Sequence, residues 1–249
     1  MEASAASPVT RPSLPPGVRI YAVGDLHGRF DLLEWARGAI AEDLARRPAE
    51  RTIEIYLGDY VDRGPDSRAV LQLLAGGEAP VCDERICLKG NHEDVLLRFL
   101  DDPNTLAYWR ELGGFETLHS YGVMPPHLLT EEAVRQAHAA FRARLSKAEL
   151  RFLEGLALRV ELGTYLFVHA GIDPALPLDR QRPHDLMWIR EPFLLSRADF
   201  GRIVVHGHTP AYNPERLANR INIDTGAFAT GRLTCLVLEG QEQRFLQSR

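Results

Sequence analysis

Asp, His and Asn side chains recur in three short glycine-bounded blocks, each placed directly after an apolar run. The blocks are Gly24-Asp25-Leu26-His27-Gly28, Gly58-Asp59-Tyr60-Val61-Asp62-Arg63-Gly64 and Gly90-Asn91-His92-Glu93. Two further histidines, His169 and His208, also follow apolar stretches. Oxygen and imidazole donors delivered from the ends of buried strands form the ligand set of a hard-to-borderline divalent metal. Asp25 and His27 stand two apart in a glycine-flanked loop, where a carboxylate and an imidazole can converge on one ion. Asp59 has two oxygens with which to bridge two ions. Asn91 offers a neutral amide oxygen, which limits negative charge where an anionic substrate must bind. Taken singly, Asp59 and Asn91 read as turn formers. Five such groups at five successive strand ends point instead to a metal-dependent enzyme.

The elements that must position these groups alternate. In the first hundred residues a strand, a polar loop and a helix follow one another three times. The helices begin near Phe30, Ser67 and Glu93, and stop signals stand at Gly76-Gly77 and Pro103. Such alternation predicts a parallel or mixed sheet with its loops gathered at the carboxyl ends of the strands, where ligands bind in open sheets. Residues 104–156 read as a mainly helical insert beside the site, with Ser146-Lys147-Ala148-Glu149 forming a capping box. Strand patterns return at Leu158–Leu162, Thr164–Val168 and Arg202–Val205, and Arg220–Ile223 and Leu233–Leu238 are expected to close the chain as antiparallel strands. The expected architecture is α/β, two β-rich layers with helices outside them.

One site cannot be shared by independently folding halves. Ligands spread from Asp25 to His208 therefore predict a single domain over residues 17–249, preceded by a disordered tail over residues 1–16 rich in Ala, Ser and Pro. The 249 residues are 45% hydrophobic and 25% charged, with a net charge of −5, and carry no basic patch. That balance argues against nucleic-acid or anionic-membrane partners. Three cysteines (Cys82, Cys87, Cys235) without a CxxC pair point to a reduced cytoplasm. The start lacks the apolar core of ~7–15 residues that a signal peptide needs, and no run approaches the ~20 apolar residues of a membrane span. The oligomeric state is left open, a monomer sufficing for the chemistry.

The series GDLHG, GDYVDRG and GNHE, followed by HAG and GHT, resembles the signature motifs of the PPP family of serine/threonine phosphatases, the compact bacterial and phage members most of all. The resemblance spans Arg19 to Leu238. It implies a calcineurin-like metallophosphoesterase fold, a mixed β-sandwich flanked by helices and carrying two divalent ions. Manganese is the expected metal, with iron or zinc as alternatives. By this resemblance Asp25, His27 and Asp59 hold the first metal, and Asp59 bridges to the second, completed by Asn91, His169 and His208. Two ions ~3.5–4 Å apart can share a hydroxide that attacks phosphorus in line. Arg63 and Arg190 match the family's phosphate-binding arginines, with Arg182 as competitor to Arg190. His92 resembles the general acid and Asp62 the carboxylate that supports it. His119, His127, His138 and His184 are assigned to surface or packing. His206 is placed beside the ligands rather than among them, and Asn222 and Asp224 at a strand end.

The implied activity is phosphomonoester hydrolysis, most directly of phosphoserine or phosphothreonine in proteins, with small phosphoesters as further substrates. A dinucleoside-polyphosphate hydrolase is the nearest rival. Relatives of that kind commonly show GNHD and lack the Asp of the DRG block, whereas Glu93 and Asp62 stand here. Phosphodiesterase relatives often end in GHxH, and Pro210 occupies the place of that second histidine. A catalytically dead phosphopeptide-binding module would be missing a ligand or the acid, and every such position is filled.

Overall fold

The computed structural model describes residues 12–248. Its strands, in chain order, are β1 (Val18–Val23), β2 (Arg51–Tyr56), β3 (Glu84–Cys87), β4 (Arg159–Leu162), β5 (Tyr165–Val168), β6 (Ile203–His206), β7 (Glu215–Arg216), β8 (Arg220–Asn222), β9 (Thr234–Glu239) and β10 (Glu242–Gln247). They form two mixed five-stranded sheets, ordered β10-β9-β1-β2-β3 and β4-β5-β6-β8-β7. In the first, β1, β2 and β3 are parallel, and β9 and β10 add antiparallel strands. In the second, β5, β6 and β8 are parallel and the outer strands antiparallel.

Side-chain alternation decides which layer each residue joins. Ile20, Ala22, Ile53 and Ile55 of the first sheet meet Tyr165, Phe167, Val205 and Ile221 of the second in a core between the sheets. The opposite face of the first sheet, with Tyr21, Val23 and Tyr56, packs on helices α1 (Phe30–Arg46), α2 (Ser67–Gln72) and α3 (Asn91–Asp101). It also meets α4 (Leu106–Glu111), α5 (Gly114–Ser120), α6 (Glu131–Arg144) and α7 (Lys147–Glu154), through residues such as Trp109, Leu118, Phe141 and Leu153. Leu166, Val168 and Val204, on the outer face of the second sheet, are covered by α8 (Pro183–Trp188) and α9 (Glu191–Leu195), through Leu186 and Phe193. A short α10 (Ala227–Thr230) links β8 to β9. Both sheets thus have helix-covered outer faces, and β1 is buried along its whole length, as expected of a central parallel strand, with Arg19 buried and paired to Glu239 among its apolar residues.

Two expectations are corrected, and one strand is added. Arg220–Asn222 does not pair with Leu233–Leu238: β8 lies in the second sheet, parallel to β6, and β9 lies in the first, antiparallel to β1. Alternation records which face is buried but not which strand is the neighbour. Strand β10 is itself largely polar, and it is held by pairing with β9 and by Arg244, which donates to both Asp43 carboxylate oxygens at 3.0 Å. The tail expectation fails at its end. Residues 1–11 lie outside the described residues, but the Ser13 N–H donates to Thr164 Oγ1 at 2.7 Å, and Leu14 is buried in the core between the sheets. The three cysteines are free. Among the described residues no helix is long and apolar enough to cross a membrane.

The capping box forms as the sequence predicts. Ser146 Oγ accepts from Glu149 N at 3.2 Å and Glu149 Oε2 accepts from Ser146 N at 2.7 Å. Glu149 also accepts the buried Tyr121 hydroxyl at 2.6 Å, tying α7 to the end of α5. Ser146→Ala should lower the free energy of unfolding by about 1 kcal/mol. Glu149→Ala should cost more, about 1–3 kcal/mol beyond the cap, because it strands the Tyr121 hydroxyl. Urea midpoints of the two variants check the order, and equal losses would remove the Tyr121 bond from the account.

Candidate metal centre

The carboxyl ends of β1, β2, β3, β5 and β6 converge, and each delivers one of the expected groups. Asp25 and His27 follow β1, Asp59 follows β2, Asn91 opens α3 after β3, His169 follows β5, and His208 follows β6. All six side chains are buried. Donor atoms gather in two groups, His27 with Asp59 and His92, and Asp59 with His169 and His208; Asp59 belongs to both. His27 Nε2 lies 3.5 Å from Asp59 Oδ2, and His169 Nε2 lies 3.3 Å from Asp59 Oδ1. Asn91 Oδ1 approaches His169 Nε2 at 3.0 Å and His208 Nδ1 at 2.8 Å. Asp25 Oδ2 accepts from the His208 backbone at 3.0 Å.

The backbone at this convergence is unusual. Among the described residues the non-glycine residues with positive φ are His27 (45°), Asp59 (52°), Asp62 (72°), Arg63 (68°) and His208 (64°), all in these loops. Such conformations cost on the order of 1–3 kcal/mol each and persist only where surroundings impose them. At Asp59 that imposition comes from the buried Glu93 carboxylate, which accepts from the N–H groups of Asp59 (2.9 Å), Tyr60 (2.7 Å) and Gly90 (3.0 Å).

The donor set fits divalent cations on several observations. Asp25 Oδ1 and His208 Nε2 are buried without a hydrogen-bond partner among the described residues, which is costly for polar groups unless a ligand is bound. A Cβ at Gly90 would run into Asp59 Oδ1, and one at Gly207 into Asp25 Oδ1, so glycine leaves room for the carboxylates. The charge balance agrees. Burial, with Asp224 close by, raises Asp25 well above the usual carboxylate range. Burial works against ionised Asp59 too, but His169, His92 and His27 outweigh it and hold Asp59 well below that range. Burial also disfavours a charged His169, yet the Asp59 carboxylate prevails and raises it to about 10. Burial and the neighbouring His169 push His208 down to about 2. A proton on His169 therefore does, in the bare protein, part of what a cation would do.

His92 sits differently. Its Nδ1 is 2.7 Å from Asp62 Oδ2, which leaves Nε2 facing the centre, 3.8 Å from Asp59 Oδ2. Burial lowers the imidazole's proton affinity, but Asp59 and Asp62 overcome it and the net shift is upward. Asp62 is itself fixed: it accepts from Trp109 Nε1 at 3.0 and 2.9 Å and from Thr117 Oγ1 at 2.7 Å, and its N–H donates to Thr117 Oγ1 and Ser67 Oγ. Arg63 reaches the first group of donors, with Nη1 3.2 Å from His27 Nε2 and Nη2 3.3 Å from His92 Nε2, and its guanidinium stacks 4.6 Å over the Phe228 ring. Arg190 is exposed at the start of α9, and its charge is one of those that depress His208. Arg182 is exposed before α8. His206 turns away to Gly207 O (3.1 Å) and Arg220 (3.3 Å). Asn222 ends β8 and Asp224 follows it, as expected, with Asp224 accepting from Gly226 N at 2.8 Å, but Asp224 also faces the centre, and burial raises it to about 6. His119 and His127 are exposed, His138 packs edge-on to Phe99, and His184 stacks on Trp188.

Sequence reasoning missed Trp109, Thr117 and Ser67 as the holders of Asp62, Glu93 as the clamp of the Asp59 loop, and Phe228 as the platform under Arg63. None carries a spacing signal. Only the need of a buried carboxylate for donors announces that such residues exist.

A family model described as calcineurin-like phosphoesterase matches residues 18–231. The chain is 28% identical over 220 residues to "Serine/threonine-protein phosphatase 1" of Salmonella typhimurium, covering 86% of this chain and 89% of that protein. It is equally 28% identical over 234 residues to "Bis(5'-nucleosyl)-tetraphosphatase PrpE [asymmetrical]" of Anoxybacillus flavithermus, covering 86% and 88%. Among solved structures, a putative diadenosine tetraphosphatase shares the fold with a TM-score of 0.61 at 19% identity, covering 98% of this chain and 96% of that one. A cold-active protein-tyrosine phosphatase of a psychrophilic Shewanella does so with a TM-score of 0.58 at 14% identity, covering 95% and 82%.

Manganese at one hundred times its dissociation constant should raise the free energy of unfolding by about 2.7 kcal/mol, and Asp59→Asn should abolish the rise. Because cations displace the His169 proton, binding should release protons and weaken as pH falls from 8 to 6. Calorimetry in buffers of different ionisation enthalpy reads both. An affinity indifferent to pH would take His169 out of the ligand set.

Proposed function

The chain belongs to the calcineurin-like phosphoesterase family, hydrolases built around a dinuclear metal centre, and on that premise we propose that it is a serine/threonine protein phosphatase. Asp25, His27 and Asp59 hold one metal, and Asp59, Asn91, His169 and His208 the other, with manganese the expected occupant and iron or zinc the alternatives. When bound, the two cations supply an activated water and screen the charge of the phosphate. Free thiols at Cys82, Cys87 and Cys235 support a reduced, cytoplasmic setting.

The protein's own groups do the rest. Arg63 and Arg190 bind the phosphate oxygens, where a forked guanidinium matches the spread of charge better than a lysine. His92 holds a proton on Nε2 for the leaving oxygen, and Asp62 fixes the ring through Nδ1. The single observation that carries the reading is this buttressed pair: His92 bound to Asp62, and Asp62 bound in turn by Trp109 and Thr117. A serine alkoxide is a poor leaving group and needs that proton. The oligophosphate released from a dinucleoside tetraphosphate is stable as an anion and needs it far less. The second reading, dinucleoside-tetraphosphate hydrolysis, is favoured by the equal identity to the Anoxybacillus enzyme. It assigns the same metal ligands but leaves the acid with little to do.

His92→Asn should keep its metals and lose roughly 10²–10⁴-fold in turnover of a phosphoserine peptide, and much less on an activated aryl phosphate. Asp62→Asn should show the same selectivity more mildly. Equal losses on both substrates would place the acid elsewhere. Arg63→Ala should raise the inhibition constant of inorganic phosphate without loss of metal, and Arg63→Lys should restore binding only in part, since an ammonium cannot form two parallel bonds.

A further inference from the structure

A pocket of about 460 Å³ opens beside Arg63, between α10 and the α4–α5 corner, lined by Arg63, Arg110, Leu112, Phe115, Glu116 and Phe228 among others. Arg63 connects it to the reaction: its Nη2 is 3.3 Å from His92 Nε2. Its Nη1 is 3.2 Å from His27 Nε2, so the pocket adjoins the edge of the centre that His92 shares with His27. A leaving group departs toward its acid, so the part of the substrate that carries the leaving oxygen comes to rest in or across this pocket. Its volume suits one or two side chains.

The charges in the pocket are unequal once a substrate is bound. Arg63 is engaged by the transferred phosphate. Arg110 is neutralised by Glu111, at 2.7 Å. Glu116 is exposed and makes no ion pair among the described residues. What remains for the substrate is one unbalanced carboxylate beside the Phe115 ring, on which the stem and head of an Arg or Lys can lie, the Phe228 ring being taken by Arg63. We propose that this pocket is the leaving-group subsite of the enzyme, and that it selects phosphopeptides with a basic side chain next to the phosphorylated serine or threonine. The inference rests on the protein-phosphatase reading and narrows it to a substrate class. A dinucleoside tetraphosphate would bring further negative charge against Glu116, so the same pocket works against it.

The test compares kcat/KM of the manganese-loaded full chain on three phosphoserine peptides, flanked on both sides by Arg, by Ala or by Glu, with diadenosine tetraphosphate as a fourth substrate. The Arg-flanked peptide should be preferred over the Ala-flanked one by about three- to fivefold, the scale of a part-exposed ion pair. In Glu116→Gln that ratio should fall toward unity, and in Glu116→Arg the Glu-flanked peptide should become the preferred one. Far-ultraviolet circular dichroism and metal content of the variants exclude misfolding, and because each readout is a ratio within one variant, a general loss of activity does not move it. Phosphopeptide turnover with no charge preference, or a preference that Glu116→Arg fails to invert, overturns the subsite while leaving the phosphatase reading in place. Faster turnover of the tetraphosphate than of every peptide overturns the reading beneath it.

Discussion

The carboxylate of Glu93 is the tie on which the centre depends. It stands in the first turn of α3, yet its hydrogen bonds go backwards and sideways, to Gly90 at the mouth of its own helix and to Asp59 and Tyr60 in the loop after β2. Those bonds hold Asp59 in a left-handed conformation that an aspartate would not choose in a free chain. They also set the distance between the β2 and β3 loops, and hence between Asp59 and Asn91. Burial, with Asp59 beside it, pushes Glu93 up to about 7, so the clamp carries tension of its own. A side chain one methylene shorter would have the same charge without the reach to two loops.

Charge is the second constraint, and it follows from the first. Asp25, Asp59, Glu93 and Asp224 are all buried within one convergence of strand ends. Isolated carboxylates do not stay ionised in such surroundings without cations. The protein alone answers with protonated imidazoles: His169 is lifted by Asp59, while His208, pressed by burial and by His169, is kept neutral. Two divalent cations answer the same demand more fully. The lone atoms Asp25 Oδ1 and His208 Nε2 mark where the hydrogen-bond network of the protein ends. The fold is thus organised around a charge that the chain itself does not contain.

Around this centre the two sheets and the helical stretch before β4 divide the work. The sheets bring the ligands, because parallel strands release their loops at one edge. The helices hold His92 in register, because Trp109 of α4 and Thr117 of α5 converge on the carboxylate of Asp62, which binds the His92 ring. The same corner forms one wall of the pocket beside Arg63, and Phe228 of α10 forms the other. The candidate metal ligands, the His92–Asp62 pair and the pocket beside Arg63 therefore draw on different segments of the chain.

The amino-acid sequence by itself determined which groups lie at the centre. Asp25, His27, Asp59, Asn91, His169 and His208 each stand within four residues of the end of an apolar run, and local physics suffices to put a polar residue after a buried strand at the sheet's edge. The three β–loop–α units and the capping box at Ser146 were legible for the same reason, being written in spacing and in neighbours. What only the tertiary structure decided are relations between distant segments. Periodicity does not name partners, so the placement of β8 in the second sheet and of β9 in the first was hidden, as was the anchoring of Ser13 and Leu14 against Thr164 and the inter-sheet core. The support of Asp62 by Trp109 and Thr117, and of Arg63 by Phe228, lies between residues about fifty to more than one hundred and sixty positions apart. Such contacts exist only because a buried carboxylate must find donors and a guanidinium must find a surface wherever the fold supplies them.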